Sequence, residues 1–147
     1  MVNATIRRWM ARLICASALL SGLAACRGEP PKSSAPGPEP IARTEFTERI
    51  ENFFEYEPLV PGRPSAFLIH LTDLADGSPV EKADVTLTLR REGETQGIDT
   101  KAKVGRVTGI YVAHVTVSGP GRYRIDFRVR TATLDERMTL DDFTSGG

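Results

Sequence analysis

The chain has 147 residues, of which 40% are hydrophobic and 26% are charged, a composition typical of a globular domain. Its 19 basic and 19 acidic residues balance and are interspersed, so the sequence lacks the basic patch of a nucleic-acid-binding protein. Both cysteines, Cys15 and Cys26, fall near the start. The rest of the chain therefore has no thiol for a disulfide, a thiolate metal site or a cysteine nucleophile.

The start of the chain has the pattern of an export signal. Three arginines precede residue 13, and residues 13–25 are all apolar or small. This run is shorter than the roughly 20 residues that a transmembrane helix needs, and it fits the apolar region of a signal peptide. The run ends in Leu23-Ala24-Ala25-Cys26, which resembles the lipobox of bacterial lipoproteins, whose cysteine is acylated and becomes the mature N-terminus. We therefore predict a signal peptide over residues 1–25 and a lipid such as palmitate on Cys26.

The alternative for this segment is an ordinary cleaved signal with an incidental cysteine, or a short membrane anchor. Cleavage before Cys26 leaves 16 basic and 19 acidic residues, a net charge of −3. Lipoproteins that stay in the inner membrane tend to have aspartate after the cysteine, whereas this chain has Arg27. The resemblance thus favours the periplasmic side of the outer membrane, with the lipid on Cys26 as the link to the membrane and no nucleic-acid partner.

A change of composition separates the signal from the folded part. Residues 27–43 contain five prolines, two glycines and two serines, which predicts an extended tether with little to bury. We predict a disordered linker over residues 26–43, one folded domain over residues 44–143 and a flexible tail over residues 144–147. About 100 residues suffice for a single hydrophobic core.

Apolar and polar residues alternate through this domain, as they do in half-buried β-strands. On this pattern we expect a core formed by Phe67, Ile69, Leu71, Val85, Leu87, Tyr111, Val115, Ile125 and Phe127. Turn signals divide the pattern into seven strand segments: 46–57, 65–73, 83–91, 97–103, 107–117, 121–131 and 133–140. Seven strands at this spacing predict an all-β fold, an immunoglobulin-like β-sandwich. Residues 44–54 also fit a helical spacing, which is the alternative for the first segment.

The domain resembles the opening β-sandwich of periplasmic adaptor subunits of RND (resistance-nodulation-division) efflux pumps, especially those of the heavy-metal branch. The matching residues are Glu55-Tyr56, Pro58-Leu59-Val60, Gly62, Phe67, Ile69-His70-Leu71-Thr72, Leu74, Pro79-Val80, Gly109-Ile110-Tyr111 and Gly119-Pro120-Gly121. The resemblance implies a related fold and an association with an efflux system. Full adaptors continue into further domains that this sequence does not match, so adaptor activity is not implied. A truncated adaptor is a further alternative.

The only histidines, His70 and His114, occupy the outward positions of their predicted strands. In an immunoglobulin-like order these two strands are neighbours, so the imidazoles would face the same side. With a carboxylate such as Asp73 they would form a candidate copper or zinc site. The alternative is two unrelated histidines that cover the sheet surface.

One face of the sixth predicted strand carries Arg122, Arg124, Arg128 and Arg130, with Asp126 among them. Such a row of guanidinium groups is a candidate face for an anionic partner. The alternative is a solvated sheet face whose arginines pair with acidic residues on neighbouring strands.

The sequence contains none of the common catalytic motifs, and we expect a protein that is not an enzyme. The function that fits best is a membrane-anchored periplasmic lipoprotein that acts as a non-catalytic binding module for an envelope protein, in association with an RND-type efflux system. The alternative is a periplasmic copper- or zinc-binding protein that uses His70 and His114. Otherwise we expect no cofactor.

Overall fold

The computed structural model describes residues 37–146, which contain nine β-strands and no helix. Within this range no helix is long and apolar enough to cross a membrane. The signal peptide, Cys26 and most of the predicted linker lie outside the described residues. The strands are β1 (Ile41–Phe46), β2 (Ile50–Tyr56), β3 (Pro64–Asp73), β4 (Asp84–Arg91), β5 (Ile98–Lys101), β6 (Lys103–Val104), β7 (Ile110–Thr116), β8 (Gly121–Arg130) and β9 (Asp135–Ser145).

The strands form two antiparallel sheets that pack as a β-sandwich, which confirms the predicted fold class. One sheet has the order β1-β2-β3-β7-β6, and the other has the order β5-β4-β8-β9. Without β1, the first order is the A-B-E-D sheet of an immunoglobulin domain, and β4-β8-β9 corresponds to its C-F-G sheet. A parallel bridge between Leu59 and Ser145 ties the chain after β2 to the end of the last strand.

Each of the seven predicted segments contains a strand, and two short strands were not predicted. The segment 97–103 divides at Ala102, whose backbone N–H donates to the carbonyl of Val85 in the four-stranded sheet. The residues before this point pair with β4 and those after it pair with β7. The chain thus crosses from one sheet to the other and closes that side of the sandwich.

The predicted domain boundaries are wrong at both ends, because edge strands extend the domain. β1 begins at Ile41 and pairs with β2 over its whole length, so residues 41–43 belong to the domain and not to the linker. At the other end β9 continues to Ser145, which is buried and donates its hydroxyl hydrogen bond to the carbonyl of Leu59. The helical alternative for residues 44–54 is also wrong: Ile50 and Phe54 are buried on the inner face of β2.

The core lies between the sheets and is built from the residues of inward parity. All nine residues predicted to be buried are at most 2% exposed. Phe54 of one sheet and Phe127 of the other have ring centroids 4.9 Å apart, and Tyr56, Phe67 and Phe143 pack around them. Such aromatic contacts add to the free energy that their buried area provides.

Arg43 closes the second side of the sandwich, between the edge strands β1 and β9. Its guanidinium donates to Asp142 and to Glu45, both at 2.7 Å, and lies 5.1 Å from the ring centre of Phe143. Partial burial lowers the pKa of Arg43, but the hydrogen bonds to the two carboxylates outweigh burial and raise it. The hydrogen bond from Arg43 in turn lowers the pKa of Asp142.

Two buried tyrosines hold loops against the core through their hydroxyl groups. Tyr123, near the start of β8, donates to the carbonyl of Gly119, four residues earlier, at 2.8 Å. This is the tyrosine corner that immunoglobulin-like sandwiches place at the same strand. Tyr111 donates to the carbonyl of Val80 at 2.7 Å and accepts from the N–H of Ala83 at 2.9 Å. It thereby fixes the start of β4.

We expect Tyr111→Phe to lower the free energy of unfolding by about 2 kcal/mol, because Val80 and Ala83 would each lose the partner of a buried backbone group. Urea unfolding followed by circular dichroism measures this change. Tyr56→Phe is the matched control, since the Tyr56 hydroxyl makes no hydrogen bond within residues 37–146, and it should cost less than about 0.5 kcal/mol. Equal losses in both variants would show that the Tyr111 hydroxyl does not have this role.

Candidate functional site

The structure places His70 and His114 on the same outer face but does not bring them together. They lie on the neighbouring strands β3 and β7, as predicted. The register, however, sets His114 opposite Ala66 and His70 opposite Ile110, an offset of four residues. At about 3.4 Å per residue along a strand, this offset separates the two Cα atoms by about 14 Å.

Asp73 does not complete a metal site with either histidine. It pairs with Ile50, so it has the parity of the core-facing residues and not that of His70. Its carboxylate accepts a hydrogen bond from the N–H of Ala75 at 2.9 Å and shapes the turn after β3. Residues 37–146 contain no cluster of three histidine, cysteine or acidic side chains that could hold a metal ion.

The four arginines of β8 lie together on the outer face of the four-stranded sheet, as the sequence predicts. Each one lies next to a carboxylate, and the Arg128–Asp135 pair has two hydrogen bonds, of 3.0 and 2.8 Å. We call this arrangement the charge ladder; its ion pairs are Arg122–Glu92, Arg124–Asp141, Arg128–Asp135 and Arg130–Asp84. The arginines are therefore paired with acidic residues of the domain, as in the alternative of a solvated sheet face.

Hydrogen bonds raise or lower the pKa of several ladder groups. A hydrogen bond from Lys101, together with the charges of Lys101 and Arg130, lowers the pKa of Asp84 despite partial desolvation. A hydrogen bond from Arg128 lowers the pKa of Asp135, and the same contact raises the pKa of Arg128. These carboxylates therefore stay ionised and compensate the arginine charges from within the domain.

The outer face of the five-stranded sheet has the opposite character and was not predicted as a site. Phe53 pairs with His70, which pairs with Ile110, and Leu68 pairs with Val112 in the adjacent row. All five side chains are partly exposed, and the rings of Phe53 and His70 contact each other edge to face at 5.3 Å. We call this surface the apolar face; its members are Phe46, Phe53, Ala66, Leu68, His70, Ile110 and Val112. Phe46, at its margin, is 62% exposed.

Charged side chains lie within and beside the apolar face: Glu55 is directly opposite Leu68, and Glu51 is directly opposite Phe46. Glu51 and Glu55 lie beside Phe53 on β2, and Lys103 lies opposite Val112 on β6. Within residues 37–146 none of these three side chains makes an ion pair, in contrast to the ladder arginines. The signal for this face was present in the sequence, because Leu68 and Val112 occupy outward positions of alternating strands that usually carry polar residues.

Comparisons with known proteins return similar folds at low identity. No protein-family model and no curated protein matches the chain. FetP from uropathogenic E. coli strain F11 is similar in structure, with 12% identity, a TM-score of 0.47 and coverage of 72% of this chain and 94% of FetP. The C-terminal domain of ZirS has 17% identity, a TM-score of 0.44 and coverage of 99% of this chain and 97% of that domain. Since both TM-scores are below 0.5, the fold assignment rests on strand order and register.

These comparisons do not test the resemblance to RND adaptors, which remains a prediction. Neither of the two proteins is described as an efflux component. What the structure supports is the coarser statement that the described residues form a β-sandwich.

The lowered pKa of Asp135 links folding to pH, with an effect that the exposure of the Arg128–Asp135 pair keeps small. The folded-state pKa of Asp135 is below its ordinary value of 3.8, so its contribution to stability is complete above pH values of about 4 and is lost as the pH falls through the lower folded-state pKa. We expect the melting temperature of Asp135→Asn to fall less between about pH 4.5 and 2.5 than that of the wild type. Thermal unfolding at a series of pH values measures this slope.

Glu48→Gln is the control for this experiment, because Glu48 is exposed and makes no ion pair within residues 37–146. Its melting temperature should follow that of the wild type through the same pH range. If the slope of Asp135→Asn were as steep as that of the wild type, the ladder pair would not contribute to acid sensitivity.

Proposed function

We propose that this protein is a non-catalytic interaction module that a lipid on Cys26 holds at the periplasmic side of the outer membrane, and that it binds an envelope protein through the apolar face. The observation that supports this proposal is the contrast between the two outer faces of the sandwich. One face pairs its own charges, and the other presents Phe53, Leu68 and Ile110 to solvent.

The charge ladder is the weaker candidate for the partner surface. Any partner that approached it would have to compete with carboxylates that already bind Arg124, Arg128 and Arg130. Exposed ion pairs of this kind add little to stability or to binding. The apolar face has no such competition, and its burial against a partner would release ordered water from Phe53, Leu68 and Val112.

The charges within the apolar face indicate the chemistry of the partner. Glu51 and Glu55 flank Phe53 on β2 without an ion pair inside residues 37–146, so a complementary surface would be apolar with basic side chains opposite β2. The resemblance to RND adaptors makes a component of an efflux system the partner that we propose. A tether anchored by Cys26 would raise the effective concentration of the domain toward partners in the same membrane layer.

We do not propose a catalytic or a metal-binding function. No catalytic motif is present in the sequence, and the distance between His70 and His114 set by the register gives no support to a shared copper or zinc site.

The proposal predicts that Leu68→Glu, which places a charge at the centre of the apolar face, lowers capture of the partner at least about tenfold. The measurement is chemical crosslinking of the full-length lipoprotein in cells, followed by quantitative mass spectrometry of the captured proteins. Support comes from loss of a specific adduct in this variant, together with an unchanged melting temperature. Cys26→Ser should also weaken capture, because the variant lacks the sulfur to which the lipid attaches.

Two matched variants on the opposite sheet decide between the two faces. Thr86→Glu adds the same charge at an outward position of β4 and should leave the adduct unchanged. Arg124→Glu combined with Arg128→Glu reverses two charges of the ladder. If this double variant abolished the adduct while Leu68→Glu retained it, the ladder would be the partner surface and the proposal would be wrong.

A further inference from the structure

A cleft at one end of the four-stranded sheet is lined by four arginines. It has a volume of about 310 Å³ and lies where β4 ends, the turn of residues 92–94 follows and β8 begins. Its charged lining residues are Arg90, Arg91, Arg122, Arg124, Glu92, Glu94 and Asp141. The lining thus contains four guanidinium groups and three carboxylates. The cleft is separate from the apolar face, which belongs to the other sheet.

Arg90 is the least compensated of these arginines. It lies directly opposite Arg124 in the β4–β8 register, and like charges at opposite positions of a sheet repel each other. Arg124 donates to Asp141, whereas Arg90 makes no ion pair within residues 37–146. The Nε atom of Arg90 is buried and has no hydrogen-bond acceptor among residues 37–146. A buried donor of this kind is normally paired.

Arg91, the next residue of β4, has the parity of Tyr123 and is held at the end of the sheet by a backbone carbonyl. It donates to the carbonyl of Pro120 at 2.7 Å and is only loosely paired with Glu94, at 3.9 Å. The close approach to Gly121 shows how tightly it is seated, since a Cβ atom there would lie 3.1 Å from the Arg91 Nε. A guanidinium positioned by a carbonyl keeps its remaining N–H groups available for an anion.

Arg122 completes the group with a weak partner. Its Nε lies 3.8 Å from a carboxylate oxygen of Glu92, which is longer than a hydrogen bond, and both side chains are more than 60% exposed. The carboxylates of Glu92 and Glu94 can therefore turn out to solvent at little cost when a stronger anion enters. Arg90, Arg91 and Arg122 thus all line the cleft, and none of them is hydrogen-bonded to a carboxylate of residues 37–146.

We propose that this cleft binds a phosphate group. A phosphate has more acceptor oxygens than a carboxylate, so it can accept hydrogen bonds from several guanidinium groups at once. This property suits a cleft that is lined by several arginines. A phosphate bound between Arg90 and Arg124 would offset the repulsion between these two opposed charges. The same chemistry is offered by inorganic phosphate and by the headgroup of a phospholipid.

The test is calorimetric titration of the full-length chain, in a non-ionic detergent without phosphate, with inorganic phosphate. We expect saturable binding that Arg90→Gln weakens about tenfold or more. Arg137→Gln is the matched control, because Arg137 is an exposed arginine of the same sheet that does not line the cleft, and it should bind like the wild type. Absence of saturable binding, or equal weakening in both variants, would overturn the proposal.

Arg90→Lys keeps the positive charge but removes the planar guanidinium group, so phosphate binding should again weaken while the melting temperature stays that of the wild type. Binding equal to that of the wild type would contradict recognition by the guanidinium group.

Flotation of the Cys26→Ser chain with vesicles separates the two sources of phosphate. Binding to phosphatidic acid vesicles but not to phosphatidylcholine vesicles, lost in Arg90→Gln, supports a headgroup. Binding of inorganic phosphate alone supports a free anion.

Discussion

The contact between Phe54 and Phe127 joins the two sheets, and the remainder of the structure depends on the parity that it sets. Their ring centroids lie 4.9 Å apart in the middle of the core. Because side chains alternate along a strand, placing these two rings inside fixes which residues of β2 and β8 point inward and which point outward. Pairing between strands then extends this choice across each sheet.

The two outer faces that result from this parity are chemically different. On β8 the outward residues are arginines, and neighbouring strands supply Asp84, Asp135 and Asp141 as their partners. On β2, β3 and β7 the outward residues include Phe53, Leu68 and Val112, which no described strand covers. The same β-sandwich thus carries one surface whose charges are paired with each other and one surface whose removal from water would lower the free energy.

Much of the fold could be predicted from the sequence because alternation and turn residues are local signals. All seven predicted segments contain strands, and the predicted core residues are buried. β1 was missed because its residues follow a proline-rich stretch and become a strand only by pairing with β2. The division at Ala102 was missed because it depends on a hydrogen bond to Val85, seventeen residues earlier.

The site was harder to predict because it depends on register and on contacts between distant residues. The sequence placed His70 and His114 on neighbouring strands, but it could not show the four-residue offset that separates them. It identified the arginine row, but not the carboxylates that pair with each member. Leu68 and Val112 were visible at outward positions, yet their pairing into one apolar face follows only from the strand order.

The proposed function requires that a partner in the cell covers the apolar face and not the charge ladder. The most direct measurement is photo-crosslinking in living cells from a benzoylphenylalanine placed at Val112 or at Thr88, which occupy the outer faces of the two different sheets. We expect a specific adduct from position 112 and none from position 88. An adduct from position 88 alone would show that the partner covers the other sheet.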